Sequence, residues 1–287
     1  MSFTKKQIVV EIQLCKKSFQ SGSTQVRIAD LPIQVTVEKG GLPSFNTATI
    51  TIRGLSLDRM QAISSLNIES MTGSFHKVNI YAGDDENGLT RIFSGNIQNA
   101  IADFSGAPDI AMRMECFSAY FDALTPQEPI AIQGESRVAD LIGSIAKANG
   151  YTFKNVGVET KVRDTIIRGD ARTKMRKLAE QAGAKLAIDD NEVLLAPRGK
   201  PFRPNTVTEI NAQTGMVGYP VVDNTGMKAN CHFNPSIYFG SIVNVKSVVP
   251  RASGKFQVIK VVHSLSANDP DGGDWFTRVE VLFNNGL

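Results

Sequence analysis

The stretch VVHSLSANDPDGGDWFTRVEV, residues 261–281, gathers the side chains best suited to chemistry in this sequence. It carries His263, one of three histidines, then Asp269, Asp271 and Asp274, and beside them Trp275, the only tryptophan. An imidazole near carboxylates could hold a metal ion or move protons. Either use imposes a geometry. Zinc ligands come from separate elements or at fixed helical offsets, as in H-E-x-x-H. A calcium loop needs regularly placed acids and a closing bidentate glutamate. Here the acids are unevenly spaced and no such glutamate follows. D-P-D-G-G is what a tight connection uses, because proline sets φ and glycine supplies φ > 0. The stretch therefore reads as two strands and an exposed hairpin loop. Trp275, Thr277, Val279, Val281 and Phe283 form the inward face of the second strand, with Trp275 in the core.

The other reactive side chains are as scattered. His76 and His232 have no partner at a recognisable spacing, and read as surface or hydrogen-bonded core residues. Cys15, Cys116 and Cys231 are odd in number, far apart and without a C-x-x-C pair, so they read as small buried hydrophobes in a reducing compartment. No nucleophile elbow, P-loop or dinucleotide fingerprint occurs. Asp58, Glu69, Asp84, Asp85 and Glu86 sit among turn formers or on polar faces, where solvated charge explains them. A glycosidase pair assembled from distant acids stays open on sequence alone. The run R-T-K-M-R-K places Arg172, Lys174, Arg176 and Lys177 off an apolar stripe, on a solvated face. The alternative for that face is an acidic protein surface or passing nucleic acid. No catalytic, cofactor-binding or metal-ligating residue is assigned, no cofactor is expected, and the chain reads as a non-enzyme.

Bulk properties agree with a soluble globular protein. Its 287 residues suffice for two or three cores, with 42% hydrophobic and 21% charged residues. A formal charge of +3 is too mild for a dedicated nucleic-acid binder. No signal peptide and no run of roughly 20 apolar residues is present, so folding in a cytoplasm without stable membrane insertion is expected.

Two proline-rich breaks, TPQEP (125–129) and PRGKPFRP (197–204), divide the chain into 1–124, 125–200 and 201–287. IQVTVEKG and TATITIRG alternate with period two, and KVNIYAG, RIFSGNIQNAI and IAMRMECF continue the β pattern. A short helix is expected over 57–64, with Leu57, Met60 and Ile63 or Ser64 on one face. The middle segment changes period. Val138, Leu141, Ile142, Ile145 and Ala146 mark a helix capped by Ser136 and closed near Gly150. Met175, Leu178, Ala179 and Ala182 mark a second, capped by Asp170 and closed by Gly183. A hairpin turning at Asp189 to Asn191 follows.

The third segment repeats the first weakly. VNIYAG at Val78 overlays VNVKSV at Val243, and a polar turn, a long strand, a loop and a last strand follow in both. Arg113 and Glu115 overlay Arg278 and Glu280. In this overlay His263 falls on Asn99, so the element forms without the histidine, and exchanging His263 for Asn should leave folding nearly normal. The fold class expected is mainly β, α+β overall, with two small antiparallel β-barrel domains flanking a small α+β domain.

In this order, the segments resemble the baseplate hub proteins of contractile-tailed phages, the late control D and Mu-type hubs, with related parts in tailocins and type VI spikes. The residues that carry it are TATITIRGL, KVNIYAG and RIFSGNIQNA for an opening barrel, and SRVADLIGSIAKANGYTF with DARTKMRKLAEQAGAKLAIDDNEVLLAP for a middle domain. NPSIYFGSIVNVKS and GKFQVIKVVHSLSANDPDGGDWFTRVEV carry a closing barrel. The resemblance implies a structural virion protein in the tail baseplate, assembled in the host cytoplasm. It implies a homotrimer in which two similar barrels per chain make a ring of six, joining a six-fold tail tube to a three-fold central spike. Implied partners are the tail tube, central spike, tape measure and baseplate wedge proteins, with DNA only passing through the lumen. Residues 206–229 match no part of the family. The competing readings are a tail-associated peptidoglycan-binding or cell-wall-degrading protein, which would need a lysozyme-like helical region, and a nucleic-acid-binding barrel, which would need aromatic and basic strands.

Overall fold

The computed structural model describes residues 4–15, 18–19, 22–41, 45–64, 75–118 and 127–283. The first segment forms β1 (Lys6–Gln13), β2 (Gln25–Ile28), β3 (Ile33–Gly40), β4 (Thr47–Arg53), helix α1 (Leu57–Ile63), β5 (Lys77–Asp84), β6 (Gly88–Asp103) and β7 (Ala111–Phe117). The strands lie in the order β3-β4-β7-β6-β5-β1-β2, antiparallel throughout. Alternation does what it should: Ile33, Val35 and Val37 of β3 point into a core with Ile50 and Ile52 of β4 and Met112 and Met114 of β7. Met60 and Ile63 of α1 reach the same core, but Leu57 is exposed, contrary to the single face expected for that helix.

The middle segment contains β8 (Ile130–Arg137), helix α2 (Val138–Ala148), β9 (Thr152–Asn155), β10 (Lys161–Ile167), helix α3 (Ala171–Gln181), β11 (Ala184–Asp189) and β12 (Glu192–Pro197). Both helices stand where the periodicity puts them. Asp170 caps α3 through the Thr173 N–H, and Gly150 and Gly183 take φ of +79° and +63° beyond the helix ends. Ser136 does not cap α2. The ladder of β8 with β10 runs through Ser136 to Arg137, so the capping position falls to Arg137, which makes no side-chain cap. The hairpin β11–β12 turns at Asp190 (φ +52°) and Asn191, and β9 joins β12 in parallel. The helices cover one face of this sheet. Ala187, Leu194 and Ala196 on its other face pack on Phe202 and Phe239, which lie beyond residue 200.

The third segment forms β13 (Arg203–Ile210), β14 (Met216–Val222), β15 (Gly226–His232), β16 (Ser241–Val245), β17 (Gly254–Ala267) and β18 (Trp275–Leu282). It is mainly β as expected, but β13 pairs with β16 in parallel, so the segment is not purely antiparallel. Strand β17 is long enough to serve two sheets. Its residues Gly254 to Gln257 pair with β16, and Lys260 to Ala267 pair with β3 on one side, while β18 takes the other. One sheet of 13 strands therefore runs from the third segment into the first. Among the described residues neither part closes into a barrel by itself; each curves around its own core.

The repeat extends over six strands. In chain order β1, β3, β4, β5, β6 and β7 take the spatial order β3-β4-β7-β6-β5-β1, and β13 to β18 take the matching order β14-β15-β18-β17-β16-β13. The polarity of the first strand is the exception, antiparallel to β5 in one case and parallel to β16 in the other. Residues 206–229 are thereby the counterpart of β1 to β4. The register can be anchored on a bulge, which falls between Ile97 and Asn99 in β6 and between Val258 and Lys260 in β17. It sets Lys260 against Asn99 and His263 against Ala102. The sequence overlay of His263 on Asn99 was thus three residues out of step, and Asn is not the repeat's alternative to His263.

Thr277, Val279 and Val281 are fully buried on the inward face of β18. Trp275 is only half-buried, and it packs on the first core rather than the third. Its ring meets Phe233 edge-on at 5.3 Å, with the Lys6 ammonium 5.5 Å from its centroid. Changing Trp275→Ala should cost about 2–3 kcal/mol, below the roughly 3–5 of a fully buried aromatic. Chemical denaturation measures the loss, and an unchanged midpoint would show that the ring does not join the two segments.

Candidate functional site

The acid-rich loop is a docking element. Asn268 (φ +57°) donates to the carbonyls of Ala29 and Leu31 at 3.0 and 3.1 Å. Asp269, its side chain 3% exposed, accepts from Gln34 Nε2 at 2.7 Å and pairs with Arg53 at 3.3 Å. Only Asp271 and Asp274 are solvated, so the reading of one exposed loop holds for two of its three aspartates. His263 is buried 14 residues away in sequence from Thr277, with Nδ1 2.9 Å from the Thr277 hydroxyl and Phe233 edge-on at 5.5 Å. Burial first, and the Lys39 charge second, push its pKa down to about 3 against the pull of Asp189. The imidazole is neutral. Among the described residues no three His, Cys, Asp or Glu side chains converge as a metal site.

The remaining sequence candidates are dispersed. His76 is buried, its Nδ1 accepting from the Cys15 N–H at 3.2 Å, and His232 stacks on Phe276. Cys116 and Cys231 are buried, and burial raises both thiols, that of Cys231 to about 12. Cys15 is exposed, contrary to the buried role expected. Asp84 closes its turn by accepting from the Asn87 side-chain amide and from the Asn87 and Glu86 N–H groups, and those hydrogen bonds, the side-chain one foremost, hold its carboxyl below the usual range against its desolvation. Asp85 accepts from the Lys5 N–H, and Asp58 lies in the first turn of α1. Glu69 lies outside the described residues. The basic face is not all solvated. Lys174 is 1% exposed and donates to Gln127 and to the Glu128 carbonyl, and Arg172 lies 3.9 Å over the Phe45 ring. Arg176 and Lys177 are the solvated pair.

A buried cluster of charge joins the three segments. Lys39 of β3 reaches Asp189 at 3.0 Å and Asp190 at 2.8 Å, at the tip of the β11–β12 hairpin. Arg203 of β13 pairs with Asp189 at 2.9 Å and with Glu192 at 2.7 Å, and Asn46 donates to Asp189 at 3.1 Å. Burial alone would lower Lys39, but the two carboxylates outweigh it and hold the ammonium charged. Burial would raise Asp189, and Lys39 and Arg203 overcome that and lower it. For Asp190 burial wins over Lys39, with help from the charge of Asp189, and its pKa rises. One signal was readable: Lys39 continues the inward alternation of Ile33, Val35 and Val37, which buries a charge that must find partners.

The open sheet leaves apolar side chains at its ends. Val217, Tyr219 and Val221 of β14 are 38%, 72% and 69% exposed, and Ile101 and Phe104 at the end of β6 are 53% and 55%. No helix among the described residues is long and apolar enough to cross a membrane.

Two curved β repeats sharing a strand and a docked α+β unit make up this fold, and solved structures of tail proteins share it. The structure is similar to the tail protein of Neisseria meningitidis MC58, at 10% identity and a TM-score of 0.62, covering 96% of this chain and 97% of that one. The 43 kDa tail protein of prophage MuSo2 from Shewanella oneidensis gives 9% identity and 0.63, covering 96% of each chain. The E. coli c3393 protein, a component of the type VI secretion system, gives 8% and 0.56 over 87% of this chain and 73% of its own. At such identities these likenesses establish the fold. No curated protein matches the sequence. The family model for Baseplate hub gp41 matches residues 9–272, and the chain belongs to that family. It is a structural component of a phage tail.

Two measurements test the buried charges. Lys39→Met leaves Asp190 without its cation and Asp189 with Arg203 alone, and should cost about 3–5 kcal/mol in denaturant unfolding. Unfolding free energy equal to wild type would remove the cluster's structural role. His263 gives a pH test. Its folded pKa lies below the unfolded value near 6.5, so the unfolded state binds the proton more tightly and stability falls as pH drops from about 6.5 towards 3. At pH 5 this amounts to about 2 kcal/mol relative to pH 8, and His263→Gln should flatten that part of the profile.

Proposed function

We propose that the chain is a trimeric baseplate hub that joins the six-fold tail tube to the three-fold central spike, in three units spanning 1–124, 125–200 and 201–287. The observation that carries this is the six-strand repeat: two units of one topology in each of three chains present six similar surfaces to a tube, while the chain itself keeps three-fold symmetry for a spike. The docked α+β unit gives the assembly its three-fold character, because it occurs once per chain. Tube, spike, tape measure and wedge proteins are its partners in this reading, DNA passes only through the lumen, and assembly takes place in the host cytoplasm. The titratable groups support structural work rather than catalysis. His263 is neutral and buried, and the cluster around Lys39 is sealed between segments.

Native mass spectrometry of the purified chain should give a trimer, and class averages in electron microscopy a ring with pseudo-six-fold symmetry. A stable monomer, or a ring of another order, would overturn the reading. A clearing zone on peptidoglycan would show an added cell-wall activity.

A further inference from the structure

We propose that Asn87, at the tip of the β5–β6 hairpin, is a site of intramolecular deamidation, and that the Asp84 carboxylate restrains the reaction. The chemistry needs no enzyme. The Gly88 backbone nitrogen bonds to Asn87 Cγ, the Cγ–Nδ2 bond breaks, and ammonia leaves with the proton that the Gly88 nitrogen gives up. Water then opens the resulting cyclic imide at either carbonyl, giving aspartate or isoaspartate. The sum is amide plus water to carboxylate plus ammonium. A following glycine favours the attack, because no Cβ crowds its nitrogen.

Asn-Gly occurs at Asn87, Asn149 and Asn285, the last outside the described residues. Backbone conformation does not separate the other two. Gly88 and Gly150 have φ of +75° and +79°, with open space where a Cβ would stand. The surroundings do separate them. Asn149 is half-buried and held at both ends, its Nδ2 donating to the Ile145 carbonyl at 2.7 Å and its Oδ1 accepting from Gln127 at 2.6 Å. The Gly150 N–H donates to the Lys147 carbonyl at 3.1 Å, and the Tyr151 and Thr152 N–H groups donate to Ala146 and Asn191 at 2.9 Å. Turning the Asn149 side chain onto the Gly150 nitrogen means undoing the end of α2 and the start of β9. Residues 85–89, by contrast, are exposed, and Gly88 opposes Asp84 on the last rung of its hairpin. Freeing the Gly88 nitrogen opens one end of a ladder, the kind of local motion that costs least.

What holds Asn87 is Asp84. Asn87 Nδ2 donates to both Asp84 oxygens at 3.0 Å, and the Asn87 N–H donates to Asp84 Oδ1 at 2.6 Å. These bonds fix the side chain, so the attack waits for them to break, and an ionised carboxylate has no proton to give to the leaving nitrogen. Conversion removes the Nδ2 donor and sets a fourth carboxylate beside Asp84, Asp85 and Glu86, so the product turn is looser than its parent.

Timed incubation of the purified full chain above neutral pH tests this. Trypsin releases Asn87 in peptide 78–91, Asn149 in 148–154 and Asn285 in 279–287, so mass spectrometry reads each rate separately, with fragment spectra separating Asn87 from Asn79. In the folded chain Asn87 should convert several-fold faster than Asn149, and in urea the two rates should converge. Asp84→Ala should raise the rate at Asn87 several-fold and leave that at Asn149 unchanged. Asp84→Ser, which keeps one acceptor oxygen, should fall between. Conversion of Asn149 in the folded chain as fast as that of Asn87 would overturn the site. A rate at Asn87 that rises in neither Asp84 variant would overturn the restraint.

Discussion

Strand β17 is the constraint on which the architecture hangs. Fourteen residues long, it completes the meander of its own repeat with its first residues and the sheet of the other repeat with its last eight. A strand shared in this way cannot leave one sheet without exposing unpaired backbone in the other, and each buried unpaired group costs about 1–3 kcal/mol. The relative placement of the repeats is therefore set by main-chain geometry. The hairpin loop after β17 strengthens it, since Asn268 and Asp269 reach back to Ala29, Leu31, Gln34 and Arg53. The aspartates that looked suited to catalysis thus hold a joint.

The middle unit is attached by different physics. Its apolar contact, Ala187, Leu194 and Ala196 against Phe202 and Phe239, is non-directional and would tolerate sliding. The charged cluster supplies direction. Lys39, Asp189, Asp190, Arg203 and Glu192 come from three parts of the chain, and their ion pairs at 2.7 to 3.0 Å form only in one relative placement. Buried ion pairs add little net stability when desolvation is counted, but removing one partner is expensive. In a structural component of a phage tail, such a contact fixes the orientation of the unit at the cost of its desolvation.

The repeat is one of backbone rather than of side chains. Its two halves share a strand order but little sequence, so what they have in common is backbone topology and edge geometry. Family membership makes the chain a structural component of a phage tail.

By itself the sequence determined part of the local structure: strands β3 to β7, β11, β12 and β16 to β18, helices α2 and α3 with the Asp170 cap, the turn at Asp190, and the meander repeated at Val78 and Val243, while β1, β2, β8 to β10 and β13 to β15 were not singled out. These features depend on period and turn chemistry, which neighbouring residues express among themselves. The resemblance to tail hubs was legible too, because segment order survives divergence. Tertiary structure decided what covers each face. Periodicity puts Lys39 on the inward side of β3 and cannot say that Asp189 and Asp190 wait there. It sets Lys174 on a polar face, yet the backbone of Glu128 closes over it. It assigns Ser136 to a cap that strand pairing removes. Val78 pairs with Gly95 and Val243 with Phe256, so the first hairpin is four residues longer than the second, a difference that periodicity does not record, and the overlay of His263 missed its position. The partner of β17 could not be read for the same reason: a strand's alternation records that a face is covered, and carries no address for the strand that covers it.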